Sequence, residues 1–221
     1  MNSQLVLFGK DVLLVFATML PIIDPAGTAS FFLHLTTGAS PEVRAALAFR
    51  VAWVGFILLV SAMFIGSHVL SFFGLSLSIV RVAGGMLVTS IGWRMLHPEA
   101  TAAPEAQEWT PKLAAQRAFY PLTFPLTIGP GAIAVSITLG TSLNSPSQFD
   151  FSHFGASVVG AAALASCVFL SYRFATKLLT FLGDTGTIVF LRLSSFILLC
   201  IGIQIFWSGV SELMQPWLPH N

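Results

Sequence analysis

The sequence predicts an all-α membrane protein with six transmembrane segments. They are arranged as two inverted three-helix repeats, with segments one and four broken at Pro and Gly. The first supporting observation is composition. Of 221 residues, 55% are hydrophobic and 9% charged, and the mean hydropathy is +0.84. A soluble domain carries roughly 25% charged residues to cover its surface. The second is organisation, since six long apolar runs are separated by short turns and by one strongly polar stretch, residues 97–117. The third is that the Pro and Gly punctuation of the first run recurs in the fourth.

A spanning helix needs about 20 mostly apolar residues. Segment one covers residues 12–37, interrupted by Asp24-Pro25-Ala26-Gly27. The start of the chain lacks a cationic stretch followed by a small-residue cleavage site, so this segment is expected to remain in place. Segment two covers residues 45–69 and segment three residues 76–96, with Arg81 near its start. Segment four covers residues 119–143, interrupted by Thr127-Ile128-Gly129-Pro130-Gly131; segments five and six cover 153–174 and 188–214. The expected organisation is a first repeat over 1–96, a connecting loop over 97–117 and a second repeat over 118–221.

Lys and Arg near the ends of spans set orientation. Arg44, Arg50, Arg94, Lys112, Arg117, Arg173, Lys177 and Arg192 fall on the side of the polar loop, with Lys10 and Arg81 on the other. The loop is therefore expected in the cytoplasm and both termini in the periplasm. Three spans per half invert the second half relative to the first. Internal similarity agrees: Pro21-x-x-x-Pro25 is echoed by Pro121-x-x-x-Pro125, Arg81 by Arg192, and Ile91-Gly92 by Ile201-Gly202. The offsets are 100, 111 and 110, so no single register holds throughout.

Proline removes a backbone donor, and glycine tolerates conformations that other residues avoid. Backbone left unpaired in hydrocarbon survives only beside protein or a wet cavity. Paired breaks in inverted halves point to a central binding site of a transporter, and freed amides at a half-helix start attract an anionic group. Kinks that only shape packing are the plainer alternative. The candidate substrate-binding residues are Asp24, Pro25, Gly27, Thr28, Thr127, Gly129 and Gly131.

Asp24 is the one acidic residue clearly inside an apolar run. Such a carboxylate faces a cavity, pairs with a cation or is protonated. It can bind an ammonium group or carry a coupling proton, or it can simply cap the half-helix that begins at Pro25. Arg81 is a candidate charge partner, against the plainer reading of snorkelling to the interface. The Gly84-Gly85 pair reads as helix packing.

Other chemistries find little support. A net charge of +1 gives no nucleic-acid footprint. Cys167 and Cys200 lie in apolar runs and read as small buried hydrophobes. His34, His68, His97, His153 and His220 show no zinc spacing, and no nucleophile elbow or phosphate loop is present. Neither an enzyme nor a cofactor or metal site is expected. Oligomeric state is unreadable.

Pro25-Ala-Gly27, Phe73-Gly74-Leu75-Ser76 leading to Arg81-Val-Ala-Gly84-Gly85, Pro121-Leu-Thr-Phe-Pro125-Leu-Thr-Ile-Gly129-Pro130-Gly131 and the late Ile201-Gly202-Ile203-Gln204-Ile205 together resemble the MarC family of bacterial inner-membrane proteins. The match runs over nearly the whole chain and is nearest the branch that gives the family its name. That label implies a role in antibiotic resistance without establishing an efflux substrate. SnatA-like relatives imply transport of small neutral amino acids. The family commonly has Asn where this chain has Asp24, which opens proton or cation coupling and puts the substrate carry-over in doubt. The expected function is secondary transport of a small solute across the inner membrane by alternating access. A non-transporting protein that assembles or regulates other components is the alternative.

Overall fold

The computed structural model describes residues 2–97, 109–143 and 151–215, and these contain helices and turns but no strand. α1 (Asn2–Ile23) and α2 (Pro25–Leu35) meet at Asp24, followed by α3 (Pro41–Phe72) and α4 (Leu77–Leu96). α5 (Pro111–Arg117) runs on into a widely wound stretch, Ala118–Thr127. α6 (Pro130–Leu143), α7 (Phe151–Arg173) and α8 (Ala175–Met214) complete the chain. The starts follow from capping chemistry. Ser40, Ser76 and Thr110 each accept a hydrogen bond from the backbone N–H three residues on, with Pro41 and Pro111 at the first helical position.

Five stretches among the described residues are long and apolar enough to cross a membrane: Leu5–Ile23, Pro41–Phe72, Leu77–Leu96, Phe151–Arg173 and Thr185–Met214. The pair Lys112–Thr127 and Pro130–Leu143, bent by 69°, makes six if it counts as one span. The outer surface is apolar. Ile188, Val189 and Trp207 on α8 are 55%, 60% and 61% exposed, while Val15, Met19, Val51 and Leu164 are fully buried between α1, α3 and α7. So large an apolar exterior is stable only against lipid.

Several boundaries differ from expectation. α1 starts ten residues before position 12, because the sequence from Asn2 is already compatible with helix. Residues 111–117, expected within a loop, are helical because Thr110 and Pro111 start a helix there. The sixth spanning stretch, Thr185–Met214, starts within three residues of expectation, and helix precedes it from Ala175 across a kink at Gly183 (φ 66°). Cys200 is exposed on the outer face and Cys167 half-buried, so neither is a core hydrophobe. Residues 98–108 of the polar loop lie outside the described residues.

Side-chain contacts set the helix directions. α4 and α8 are antiparallel, with Gly85 against Phe206 and Gly92 against Leu199. α3 and α7 are antiparallel through the Phe49–Phe169 and Phe64–Phe154 ring pairs. α3 runs parallel to the fourth segment, Gly55 meeting Ile128 and Gly66 meeting Ile137. α7 runs parallel to the first, Gly155 meeting Phe8 and Gly160 meeting Val15.

Candidate functional site

The α1–α2 junction is built on Asp24. Its backbone is left-handed (φ 42°, ψ 66°), a region that Asp enters more readily than most residues. One carboxylate oxygen, Oδ1, accepts from the Gly27 N–H at 3.1 Å, and the Thr28 hydroxyl donates to the Asp24 carbonyl at 2.8 Å. Asp24 is thus the N-cap of α2, with Pro25 at the first helical position. The other oxygen, Oδ2, is buried without a hydrogen-bond partner among the described residues. A Cβ on Gly27 would overlap that carboxylate, so the glycine makes the room it occupies. Ser194 of α8 lies close to it.

In the fourth segment the irregularity begins earlier than the Gly129-Pro130-Gly131 triplet. Tyr120 and Phe124, each preceding a proline, are extended, and both the Tyr120–Pro121 and Phe124–Pro125 peptides are cis. Thr hydroxyls pair carbonyls within this wide winding: Thr123 donates to Ala118 O and Thr127 to Leu122 O, both at 2.6 Å. Tyr172 of α7 then donates to the Thr127 hydroxyl at 2.7 Å, because the Thr127 proton already serves Leu122. The Tyr172 ring stacks on Phe32 of α2 with centroids 4.5 Å apart. Gly131 lies inside α6. A Cβ there would run into Val88, so its reason is the close approach of α4 rather than a backbone break.

The two junctions meet. Ile23 and Ile128, the last residues before each, share one small void with Val51 and Gly55 of α3 and Leu164 and Val168 of α7. Beside them is a cavity of about 260 Å³. Its wall includes Asp24, Thr28, Thr127, Gly129 and Gly131, five of the seven residues expected from sequence. Pro25 and Gly27 are buried behind it, supporting Asp24. The first turns of α2 and α6 both border it, and the rest of the lining is mostly aliphatic.

A family described as MarC family integral membrane protein matches residues 9–214. The chain belongs to the MarC family. It is 30% identical over 215 residues to the inner membrane protein MarC of Salmonella typhimurium (strain LT2), covering 94% of this chain and 97% of that protein. The same figures hold for the inner membrane protein MarC of Escherichia coli (strain UTI89). No solved structure matches. With several apolar helices and relatives so named, this MarC-family chain is a multi-pass inner-membrane protein.

Arg81 does not meet Asp24. Its guanidinium pairs with Glu212 of α8 at 2.5 Å and reaches the Thr138 hydroxyl of α6 at 3.3 Å. The correction is one of register: Arg81 lies in the first turns of α4, whereas α4 borders the cavity from Val88 to Met95. Arg94, in the last turn of α4, is the cation that does line the cavity. Sequence reasoning treated it only as an orientation charge. The available signal was spacing, since Val88, Ile91 and Met95 recur every three or four residues and Arg94 is one turn beyond Ile91. Pro121 and Pro125, read from sequence as the echo of the first break, also line the cavity, whereas the Tyr172 fastening was missed because its partner Thr127 is distant in sequence.

Proposed function

We propose that this MarC-family protein is a secondary transporter of small solutes, with small neutral amino acids as the substrate class. The observation that carries the reading is one cavity in which an intramembrane carboxylate, Asp24, stands beside the first turns of two half-helices, α2 and α6. Asp24 takes the ammonium and the unpaired amides at the start of α6 take the carboxylate. Asp24 is also the group able to carry a coupling proton or cation.

The packing supports two inverted repeats, comprising α1–α4 and α5–α8. Every major contact has a counterpart under exchange of the halves. α3 lies along the fourth segment as α7 lies along the first, α6 packs on α4 as α2 packs on α8, and the α4–α8 and α3–α7 pairs map onto themselves. Such a pseudo-twofold would set the two junctions at equivalent depths, which their meeting in one void between α3 and α7 supports. With the polar loop cytoplasmic and both termini periplasmic, the cavity wall formed by Leu35, Arg94 and Pro121 lies toward the cytoplasm. Alternating access then requires the Arg81 end to open as the Arg94 end closes.

The test is uptake of radiolabelled alanine and glycine into proteoliposomes, together with thermal unfolding of the purified protein. A ligand at 100 times its Kd should add about 2.7 kcal/mol to stability. Uptake by wild type that is lost in Asp24→Asn is the expected result. No uptake and no thermal shift with any amino acid or antibiotic tried would overturn the reading in favour of an assembly or regulatory role.

A further inference from the structure

The cavity presents two opposite charges from different elements, Asp24 at the α1–α2 junction and Arg94 in the last turn of α4. The wall beside them is apolar, with Val88, Ile91, Leu126 and Leu198. Neither charge is matched within the described residues. Asp24 Oδ2 has no hydrogen-bond partner, and Arg94 forms no ion pair. Three other arginines have partners elsewhere. Arg44 donates to the Thr36 carbonyl, Arg81 pairs with Glu212, and Arg117 lies over the Trp109 ring. Helix side chains lean toward the N-terminus of their helix. Arg94 is exposed and lines the cavity one turn beyond Ile91 on the same face of α4.

We propose that Arg94 reads the carboxylate of the zwitterion whose ammonium Asp24 holds, and so sets the selectivity of the cavity for amino acids over simple amines. The proposal rests on the transport reading above and adds a charged donor to the α6 amides. A guanidinium suits a carboxylate because its planar fork donates two parallel hydrogen bonds, whereas an ammonium offers only a point charge. A zwitterion leaves the filled cavity electrically matched. An amine lacking the carboxylate would leave Arg94 unpaired beside an apolar wall, and an acid lacking the ammonium would do the same to Asp24.

The experiment is calorimetric titration of the full-length protein in detergent with L-alanine and with L-alanine methyl ester, which keeps the ammonium and lacks the carboxylate. Wild type should prefer alanine. Arg94→Gln should weaken alanine by about 10- to 100-fold, the worth of a hydrogen bond to a charged group, and leave the ester unchanged, so that the preference collapses. Arg94→Lys should keep part of the alanine affinity. Alanine affinity in Arg94→Gln within about twofold of wild type, with Asp24→Asn still defective, would overturn the role of Arg94 alone. Equal loss of alanine and ester would mean that Arg94 only supports the fold, and also overturns it. Binding of neither compound by wild type would bring down the transport reading and the Arg94 role together.

Discussion

Asp24 combines three tasks in one side chain: a left-handed backbone, a cap on α2 and a carboxylate at the cavity. They separate by substitution. Asn keeps the acceptor and tolerates the backbone, so Asp24→Asn should retain near wild-type stability. Asp24→Ala loses the cap and places a Cβ-bearing residue poorly suited to φ 42°, at about 2 kcal/mol together, or roughly 4–8 °C in thermal unfolding. Gly27→Ala drives a methyl into the Asp24 carboxylate and should cost about 1–3 kcal/mol, less in an Asp24→Gly background where that carboxylate is absent. Tyr172→Phe removes one buried hydrogen bond to Thr127 and should cost about 1 kcal/mol. That Asp24 matters was readable from one acid in an apolar run. Its surroundings in the fold were not, because Ser194 and the cavity wall that includes Arg94 lie far away in sequence.

The α4–α8 pair is the clearest case at the level of elements. Gly85, Gly92, Gly202 and Gly209 each face backbone of the opposite helix, so the two main chains touch along their length. In lipid, helices associate through such close packing because the tails are as apolar as the side chains. Gly202→Val would push against Thr89 and should lower stability by about 1–3 kcal/mol, read as earlier thermal unfolding in detergent. Ser208→Val, on the exposed face of α8, is the control and should stay within about 0.5 kcal/mol of wild type. The Gly84-Gly85 pair announced close packing in the sequence, but not that the Ile201-Gly202 motif, read there as an internal repeat, would face it from α8. The fourth segment was harder to read. Its prolines marked an interruption, whereas a wide winding stitched by Thr123 and Thr127 depends on hydroxyls finding carbonyls five residues back.

For the molecule as a whole, the cavity lies toward one end and the Arg81–Glu212–Thr138 contacts toward the other. Arg81 and Arg94 are 13 positions apart on α4, a separation of about 20 Å along a helix axis. In the alternating-access reading, Glu212→Gln should loosen that far end. Thr138→Cys in this background should react faster with a membrane-impermeant thiol reagent added from the periplasm, at a stability cost under about 1 kcal/mol for so exposed a pair. Unchanged reactivity would argue against these contacts as a closure. Sidedness has its own check, with Cys167 and Cys200 replaced by Ser. A cysteine at Glu42, in the first turn of α3, should react only from the cytoplasm, and one at Leu75, in the turn after α3, only from the periplasm.

Apolar runs of spanning length, few charges and paired Pro and Gly motifs established the membrane class, the helical content and the suspicion of a site at two interruptions. These properties are local: each follows from the solvent that a segment needs and from the donors its own backbone lacks. Which cation faces the cavity was not local. Arg81 and Arg94 sit on the same helix, and only the antiparallel register of α4 against α6 and α8 turns one toward Glu212 and leaves the other on the wall of the cavity that Asp24 also lines. That register comes from glycines on two helices meeting across the bundle, a match between surfaces that neither segment carries alone.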